Sequence, residues 1–308
     1  MRAVVIRSYG GPEVLELVDV DRPKPLATEV LIRVKAIGLN PVEAYIRSGA
    51  FKLLEPPAIL GWDISGVVEE VVPGVTRFAP GDEVFGMPFF PRAARAYAEL
   101  VASPSRQLAR KPAGLSHAEA AALPLAGLTA WQGLVDAARV QPGQRVLVHA
   151  GGGGVGHLAV QIARSLGAHV VATASAGKHD LVRRLGADEV IDYRTTDFAT
   201  VARDMDVVFE LVGRDYGTRS IEVLRPGGLL LTAVERLNTD LAARTEKAGR
   251  RFMGLTVEPD QVGLERLAAL VDQGRLRPHL DHVLPLEEVA KAHRLLEGSV
   301  TGKIVLTV

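Results

Sequence analysis

Six residues near the middle of the chain, Gly151-Gly152-Gly153-Gly154-Val155-Gly156, have the composition of a turn that wraps a phosphate. Gly151, Gly153 and Gly156 stand at the G-x-G-x-x-G spacing: one glycine for a tight turn, one for close backbone approach to a pyrophosphate, one for packing a helix on a strand. A flexible glycine loop would satisfy the same letters, so the flanks decide. Before the glycines, Val146-Leu147-Val148 is a short apolar run suited to a strand buried on both faces. After them, residues 157–167 place Leu158, Ile162 and Leu166 on one helical face, and residues 169–173 supply a second strand. A βαβ unit is predicted, with the helix N-terminus aimed at the phosphates of a dinucleotide.

The second strand of such a unit usually closes on an acid that holds the ribose hydroxyls. Here it closes Thr173-Ala174-Ser175, with Lys178 just beyond. A carboxylate would repel a 2′-phosphate, whereas a hydroxyl donates to it and an ammonium attracts it, so NADP(H) is the cofactor this chemistry prefers. The plainer reading is that Ser175 turns the chain and Lys178 is solvated.

These residues need a scaffold, and the rest of the chain supplies one. At 308 residues the chain exceeds what a single core usually serves, so two domains are expected. From the N-terminus, short strands at 3–6, 14–20, 30–37, 65–72, 83–87 and 97–102 alternate with turn signals such as Ala79-Pro80-Gly81-Asp82, predicting a small, mostly antiparallel barrel. Ser116 and Glu119 have capping-box spacing, and Pro124 is expected to break the helix they start. Residues 125–138 read as helix. Beyond the glycines, strands at 170–173, 189–192, 206–211, 228–233 and 251–257 alternate with helical stretches, which predicts a doubly wound parallel sheet. The polar stretch 238–251 is expected to be a mobile surface loop or short helix. An amphipathic helix at 262–274 and two strands near 282–284 and 303–308 complete the pattern, the strands resembling the first domain. The domains are therefore placed at 1–124 with 258–308, and at 125–257.

Composition narrows the function. A formal charge of +0, with no run of like charges, gives no reason to expect nucleic acid or a membrane surface as partner. No stretch reaches membrane-spanning length and no secretory signal is evident, so a cytoplasmic enzyme or small-molecule binder is expected. Cysteine is absent, which removes thiolate catalysis and every zinc site built on sulfur.

Ordered motifs along nearly the whole chain carry a family resemblance: Gly38-Leu39-Asn40-Pro41-Val42-Glu43-Ala44-Tyr45-Ile46-Arg47-Ser48-Gly49, Gly61-Trp62-Asp63-Ile64-Ser65-Gly66, Gly81-Asp82-Glu83-Val84-Phe85-Gly86, Leu123-Pro124, Leu128-Thr129-Ala130, the glycine turn, and Gly186-Ala187-Asp188 leading to Ile191-Asp192-Tyr193. With these the chain resembles the medium-chain dehydrogenase/reductase superfamily, in its zinc-free quinone oxidoreductase (zeta-crystallin-like) branch. The resemblance implies a GroES-like barrel domain, a Rossmann domain and a homodimer joined through the Rossmann sheets. It implies that Asn40 and Tyr45 lie near the nicotinamide and the substrate. It also assigns Thr129, Gly154 and Val155 to the cofactor with the fingerprint glycines, and Lys178 and Tyr193 to the adenosine phosphate. Zinc-dependent relatives carry a histidine where this chain has Trp62, so no metal is expected. Phe51 replaces a tyrosine of some members. No arginine for the 2′-phosphate is evident near the C-terminus, where Gly298 or Ser299 stands, and Lys303 is a substitute for it.

Without a metal, a hydride acceptor must be electrophilic by itself, as a quinone or a double bond conjugated to a carbonyl is. Asn40 and Tyr45 could stabilise the charge that develops on its oxygen, and Tyr45 or solvent could supply the proton. Equally, Asn40 could be a turn-former before Pro41 and Tyr45 a buried structural residue. Phe85, Met87, Phe89 and Phe90 read as core before they read as a pocket wall, and Glu287, Glu288 and His293 as a solvated face. Two alternatives remain open: reduction of a carrier-bound enoyl thioester, with Arg92, Arg95 and Arg106 as a basic rim, and an NADPH-binding structural or redox-sensing protein without turnover.

Overall fold

The structure, a computed structural model, describes residues 1–308, which form two compact units: Met1–Leu128 with Glu258–Val308, and Thr129–Val257.

The Thr129–Val257 unit is built on a six-stranded parallel sheet. Its spatial order is Glu189–Asp192, His169–Ala174, Arg145–Val148, Met205–Glu210, Leu224–Thr232, Arg251–Gly254. Numbered along the chain this is 3-2-1-4-5-6, the Rossmann order, in which ligands lie beyond the carboxyl ends of the strands where the order reverses. Val146, Leu147 and Val148 on the central strand are all fully buried, as a strand covered by helices on both faces must be. Phe198, Val208, Val223 and Leu230 pack with Leu147 in a hydrophobic core of this unit. The stretch expected to be a surface loop or short helix is a helix, Thr239–Lys247, started by Asn238 Oδ1 accepting the Leu241 N–H at 2.9 Å. Its polar composition reflects one buried stripe, Leu241 and Thr245, on an otherwise solvated helix.

The other unit carries a seven-stranded sheet with the path Leu280–Pro285, Lys303–Thr307, Glu29–Gly38, Asp63–Val71, Glu83–Gly86, Leu108–Arg110; Leu100–Pro104 also pairs with Glu29–Gly38. Every pairing is antiparallel except that of Leu280–Pro285 with Lys303–Thr307. Register breaks at Leu31/Ile32 and Val34/Ala36 let Glu29–Gly38 curve while serving three partners, as a barrel requires. A three-stranded sheet of Leu15–Asp19, Arg2–Ile6 and Ala58–Ile59 stands beside it. The expected capping box forms: Ser116 Oγ accepts the Glu119 N–H at 3.2 Å and Glu119 accepts the Ser116 N–H at 2.9 Å. Pro124 does not merely end that helix, which closes at Ala121. It starts the next, Pro124–Trp131, where a missing N–H costs nothing, and the π-helical turn Gln132–Ala137 follows. No helix is long and apolar enough to cross a membrane.

Candidate functional site

In the Rossmann unit the strand Arg145–Val148 runs through His149 into Ala150, which takes the left-handed conformation at φ 51°. The tight turn therefore falls on Ala150, one residue ahead of the first fingerprint glycine. Gly151 is required for packing, since a Cβ there would lie 2.8 Å from that of Ala172. Gly156 is required for the same reason, its Cβ falling 2.0 Å from the Ala150 carbonyl oxygen. Gly153 differs: a Cβ there would meet only Ala150 atoms, at 3.2 Å and beyond, so its outer face is an open cradle of the kind a phosphate needs. The Gly153 carbonyl accepts from Nδ1 of His157 at 2.9 Å, so that nitrogen carries the proton. Gly154 and Val155 lead into the helix Gly156–Ser165, whose N-terminus brings the positive end of its dipole to the turn, while the His157 and Leu158 N–H groups are taken by the Gly153 and Val155 carbonyls.

Strands His169–Ala174 and Glu189–Asp192 are parallel neighbours with Ala174 opposite Asp192, so Ser175 and Tyr193 leave adjacent strand ends side by side. Lys178 closes a 3-10 turn on the Ser175 carbonyl, and its stem runs across Gly152: a Cβ on that glycine would lie 2.9 Å from Lys178 Cδ. Ser175, Lys178 and the glycine turn are thus brought together. Tyr193 is 44% exposed, with the Arg194 guanidinium 5.9 Å from its ring. Thr129 is buried in the helix Pro124–Trp131.

One residue here was not singled out from the sequence. His149 is fully buried, with Nδ1 3.1 Å from Thr173 Oγ1 and Nε2 3.1 Å from Ser220 Oγ. Thr173 Oγ1 also accepts the Ala150 N–H at 3.2 Å, so the histidine braces the turn from beneath. Burial foremost, then Arg219, lowers its pKa to about 3 and keeps it neutral.

In the barrel unit Asn40 starts the helix Pro41–Arg47, its N–H given to Glu43 Oε2 at 2.8 Å. Asn40 is 2% exposed, and its side chain does more than form a turn. Nδ2 donates to Asp63 Oδ2 at 3.0 Å, while Oδ1 accepts from Lys303 Nζ at 2.5 Å. Lys303 Nζ donates also to the Leu39 carbonyl at 2.7 Å and stands 3.6 Å from Asp63 Oδ2; the Leu125 N–H holds Asp63 Oδ1 at 2.8 Å. Burial raises the Asp63 pKa and lowers that of Lys303, each opposed by the other's charge. Lys303 is therefore committed to the barrel core, and its expected service to a phosphate is withdrawn. Tyr45, on the same helix as Glu43, is 59% exposed and so is not the buried structural tyrosine that was one reading of it.

The helical trio of acids and histidine also needs correcting. Glu287 and Glu288 are on the surface, paired with Arg2 and Lys291, but His293 is fully buried. Its Nε2 lies 3.0 Å from the Tyr97 hydroxyl, which is 2.8 Å from Glu43 Oε2. Burial and then Arg47 lower the His293 pKa to about 3. Phe85 and Met87 are fully buried core residues, while Phe89 and Phe90 are half-buried. Trp62 is buried too: its indole N–H donates to the Arg92 carbonyl at 2.7 Å and its ring meets Phe90 edge to face at 5.2 Å. Phe51 is partly exposed, and Arg92, Arg95 and Arg106 are exposed.

A parallel sheet of Rossmann order with a glycine turn, joined to a mostly antiparallel barrel, defines a class of two-domain dehydrogenases and reductases, and comparison with known proteins agrees. Residues 26–128 match the family described as alcohol dehydrogenase GroES-like domain, and residues 185–306 that described as zinc-binding dehydrogenase. The chain is 33% identical over 325 residues to a human quinone oxidoreductase, covering 99% of this chain and 97% of that protein. It is 35% identical to 2-methylene-furan-3-one reductase of Solanum lycopersicum, covering 99% and 79%. It also matches a segment of the pikromycin polyketide synthase component PikAII of Streptomyces venezuelae at 37% identity, over 92% of this chain and 8% of that much longer protein. Among solved structures, the quinone oxidoreductase of Coxiella burnetii superposes with a TM-score of 0.95 at 37% identity, covering 100% and 99%. An NAD-dependent alcohol dehydrogenase gives 0.91 at 38%, and the Escherichia coli quinone oxidoreductase complexed with NADPH gives 0.89 at 28%, each covering 100% of both chains. The chain belongs to the medium-chain dehydrogenase/reductase superfamily and is an oxidoreductase. Its quinone oxidoreductase relatives match it from end to end.

The donor set does not fit the zinc that one family description names. The chain has no cysteine, the aromatic Trp62 is tied to Arg92, and no three His, Asp or Glu side chains converge as a metal site would need.

Proposed function

We propose that the protein is an NADPH-dependent, zinc-independent reductase of quinones or of double bonds conjugated to a carbonyl. The observation that carries this reading is Lys178 lying across Gly152 at a strand end closed by Ser175 rather than an acid. An ammonium beside the phosphate turn, with no carboxylate to repel it, suits a 2′-phosphorylated dinucleotide. Gly151, Gly153, Gly154, Val155 and Gly156 would hold the pyrophosphate, Thr129 the nicotinamide end, and Ser175, Lys178 and Tyr193 the adenosine phosphate. When bound there, NADPH supplies a hydride.

The chain's own residues then have two tasks. The acceptor oxygen gains negative charge, which the remaining N–H of Asn40 Nδ2 stabilises, and the exposed Tyr45 hydroxyl delivers a proton. Because the donor set holds no Lewis acid, only acceptors already activated by conjugation react. The relatives named for quinones and for a methylene-furanone support this substrate class. The match to a polyketide synthase segment supports a second reading, a carrier-bound enoyl thioester, whose double bond is activated in the same way. For assembly we propose a homodimer: the sheet ends at Arg251–Gly254, which pairs only with Leu224–Thr232 and exposes Met253.

The test is NADPH oxidation, followed by absorbance, against quinones, 2-alkenals and an enoyl thioester, each repeated after treatment with a metal chelator. Turnover of a quinone or alkenal that survives the chelator supports the proposal. Turnover only of the thioester favours the second reading. Tight NADPH binding with no oxidation by any of them makes the protein a binder rather than a reductase.

A further inference from the structure

We propose that Lys303 is a positioning residue for the reduction step: acting through Asn40, it fixes which end of that amide faces the acceptor oxygen. The inference rests on the reading of Asn40 as a donor to the acceptor, and goes beyond it by assigning what makes Asn40 a donor.

An asparagine side chain has one end that accepts and one that donates, and nothing in its shape distinguishes them. Its neighbours must. Lys303 Nζ can only donate, so the atom 2.5 Å away is Oδ1; the Asp63 carboxylate can only accept, so the atom 3.0 Å away is Nδ2. Both contacts demand the same orientation and leave one Nδ2 proton uncommitted. The clamp is itself anchored, Lys303 by the Leu39 carbonyl and Asp63 by the Leu125 N–H, and its two charges balance in a place where both side chains are almost fully buried. The other titratable groups facing the pair are Glu43 and Tyr97, both fully buried.

Removing the ammonium would leave Asp63 as a buried charge without a counter-charge, and such a carboxylate takes up a proton. A protonated Asp63 becomes a donor, and the group in reach to accept is Asn40 Oδ1. The amide then turns over and shows its oxygen where an N–H had been, opposing the charge that develops on the acceptor. Substrate affinity barely changes, but the step in which charge appears is lost.

The experiment is steady-state kinetics of Lys303→Met, Lys303→Arg and Asn40→Ala with NADPH and an accepted enone or quinone, from pH 5 to pH 9. In Lys303→Met, kcat is expected to fall about a hundredfold near neutrality, the scale of losing one oxyanion donor, with KM for both substrates within about threefold. It should partly recover as pH rises and Asp63 sheds its proton, a limb absent from the wild type. Lys303→Arg keeps a cation on Oδ1 and should restore kcat to within about tenfold of wild type. Where Lys303→Met gives no folded protein, judged by NADPH binding, the arginine variant decides: activity as low as that of Asn40→Ala overturns the proposal. An unchanged kcat in Lys303→Met, or parallel changes in kcat and KM with no new pH limb, also overturns it. An unchanged kcat in Asn40→Ala instead removes Asn40 from the mechanism, a separate failure.

Discussion

The hydroxyl of Tyr97 donates to Oε2 of Glu43 across 2.8 Å, and both residues are fully buried in the barrel unit. Burial, as the largest effect, raises the Glu43 pKa from 4.5 to about 7, against the lowering pull of the Asn40 N–H and of Tyr97. The folded protein therefore holds this proton more tightly than the unfolded chain does. The stability it contributes is present below pH 4.5 and is lost as pH rises toward 7, by an amount on the order of a few kcal/mol. Glu43→Gln keeps an acceptor for both donors and has no proton to lose. Urea denaturation across this range should show the variant gaining on the wild type as pH rises; a difference independent of pH would refute the assignment.

Gly156→Ala should damage the Rossmann unit severely, because its new methyl falls 2.0 Å from the Ala150 carbonyl oxygen, backbone that cannot swing aside. A loss of at least about 1–3 kcal/mol is expected, the usual range for overpacking. Gly153→Ala meets the same oxygen at 3.2 Å and should fold almost normally, yet lose coenzyme affinity because the methyl occupies the open cradle. Thermal denaturation and NADPH titration of the two variants separate packing from binding.

Lys178→Ala is expected to weaken NADPH binding by about 1.5–3 kcal/mol, the range for hydrogen bonds to charged groups, and NADH binding little. Equal losses for the two coenzymes, measured by titration, would end the NADP assignment.

Tyr45→Phe should leave thermal stability unchanged, since the side chain is 59% exposed. Turnover should fall by about two orders of magnitude or more, the scale of a lost general acid. Unaltered kcat with an enone substrate would take Tyr45 out of the mechanism.

What could be read from the residues alone was whatever local pattern encodes. The strand before the glycines, the helix after them, the Ser116 capping box and the alternation of strand and helix all repeat within a few residues, and all are found. The barrel interior was not legible in this way. His293 sits 196 residues from the tyrosine it touches, and Lys303 lies 263 from Asn40, so nothing near either marks it as buried. Helical spacing grouped His293 with Glu287 and Glu288, although His293 lies on the buried side of the helix Val289–Leu296 and the two acids belong to the 3-10 turn Leu286–Glu288 before it. The shift of the tight turn from Gly151 to Ala150 escaped notice because an alanine at φ 51° is rare, and here the residues around it, including His149 from below, hold it there.

The strand Lys303–Thr307 lies between Leu280–Pro285 and Glu29–Gly38, second from one edge of the seven-stranded sheet. During synthesis, the first 128 residues cannot complete the seven-stranded sheet until this distant stretch has left the ribosome, whereas the Thr129–Val257 unit is contiguous in the chain. Translation thus completes the Rossmann unit before it delivers Lys303, the lysine bonded to Asn40.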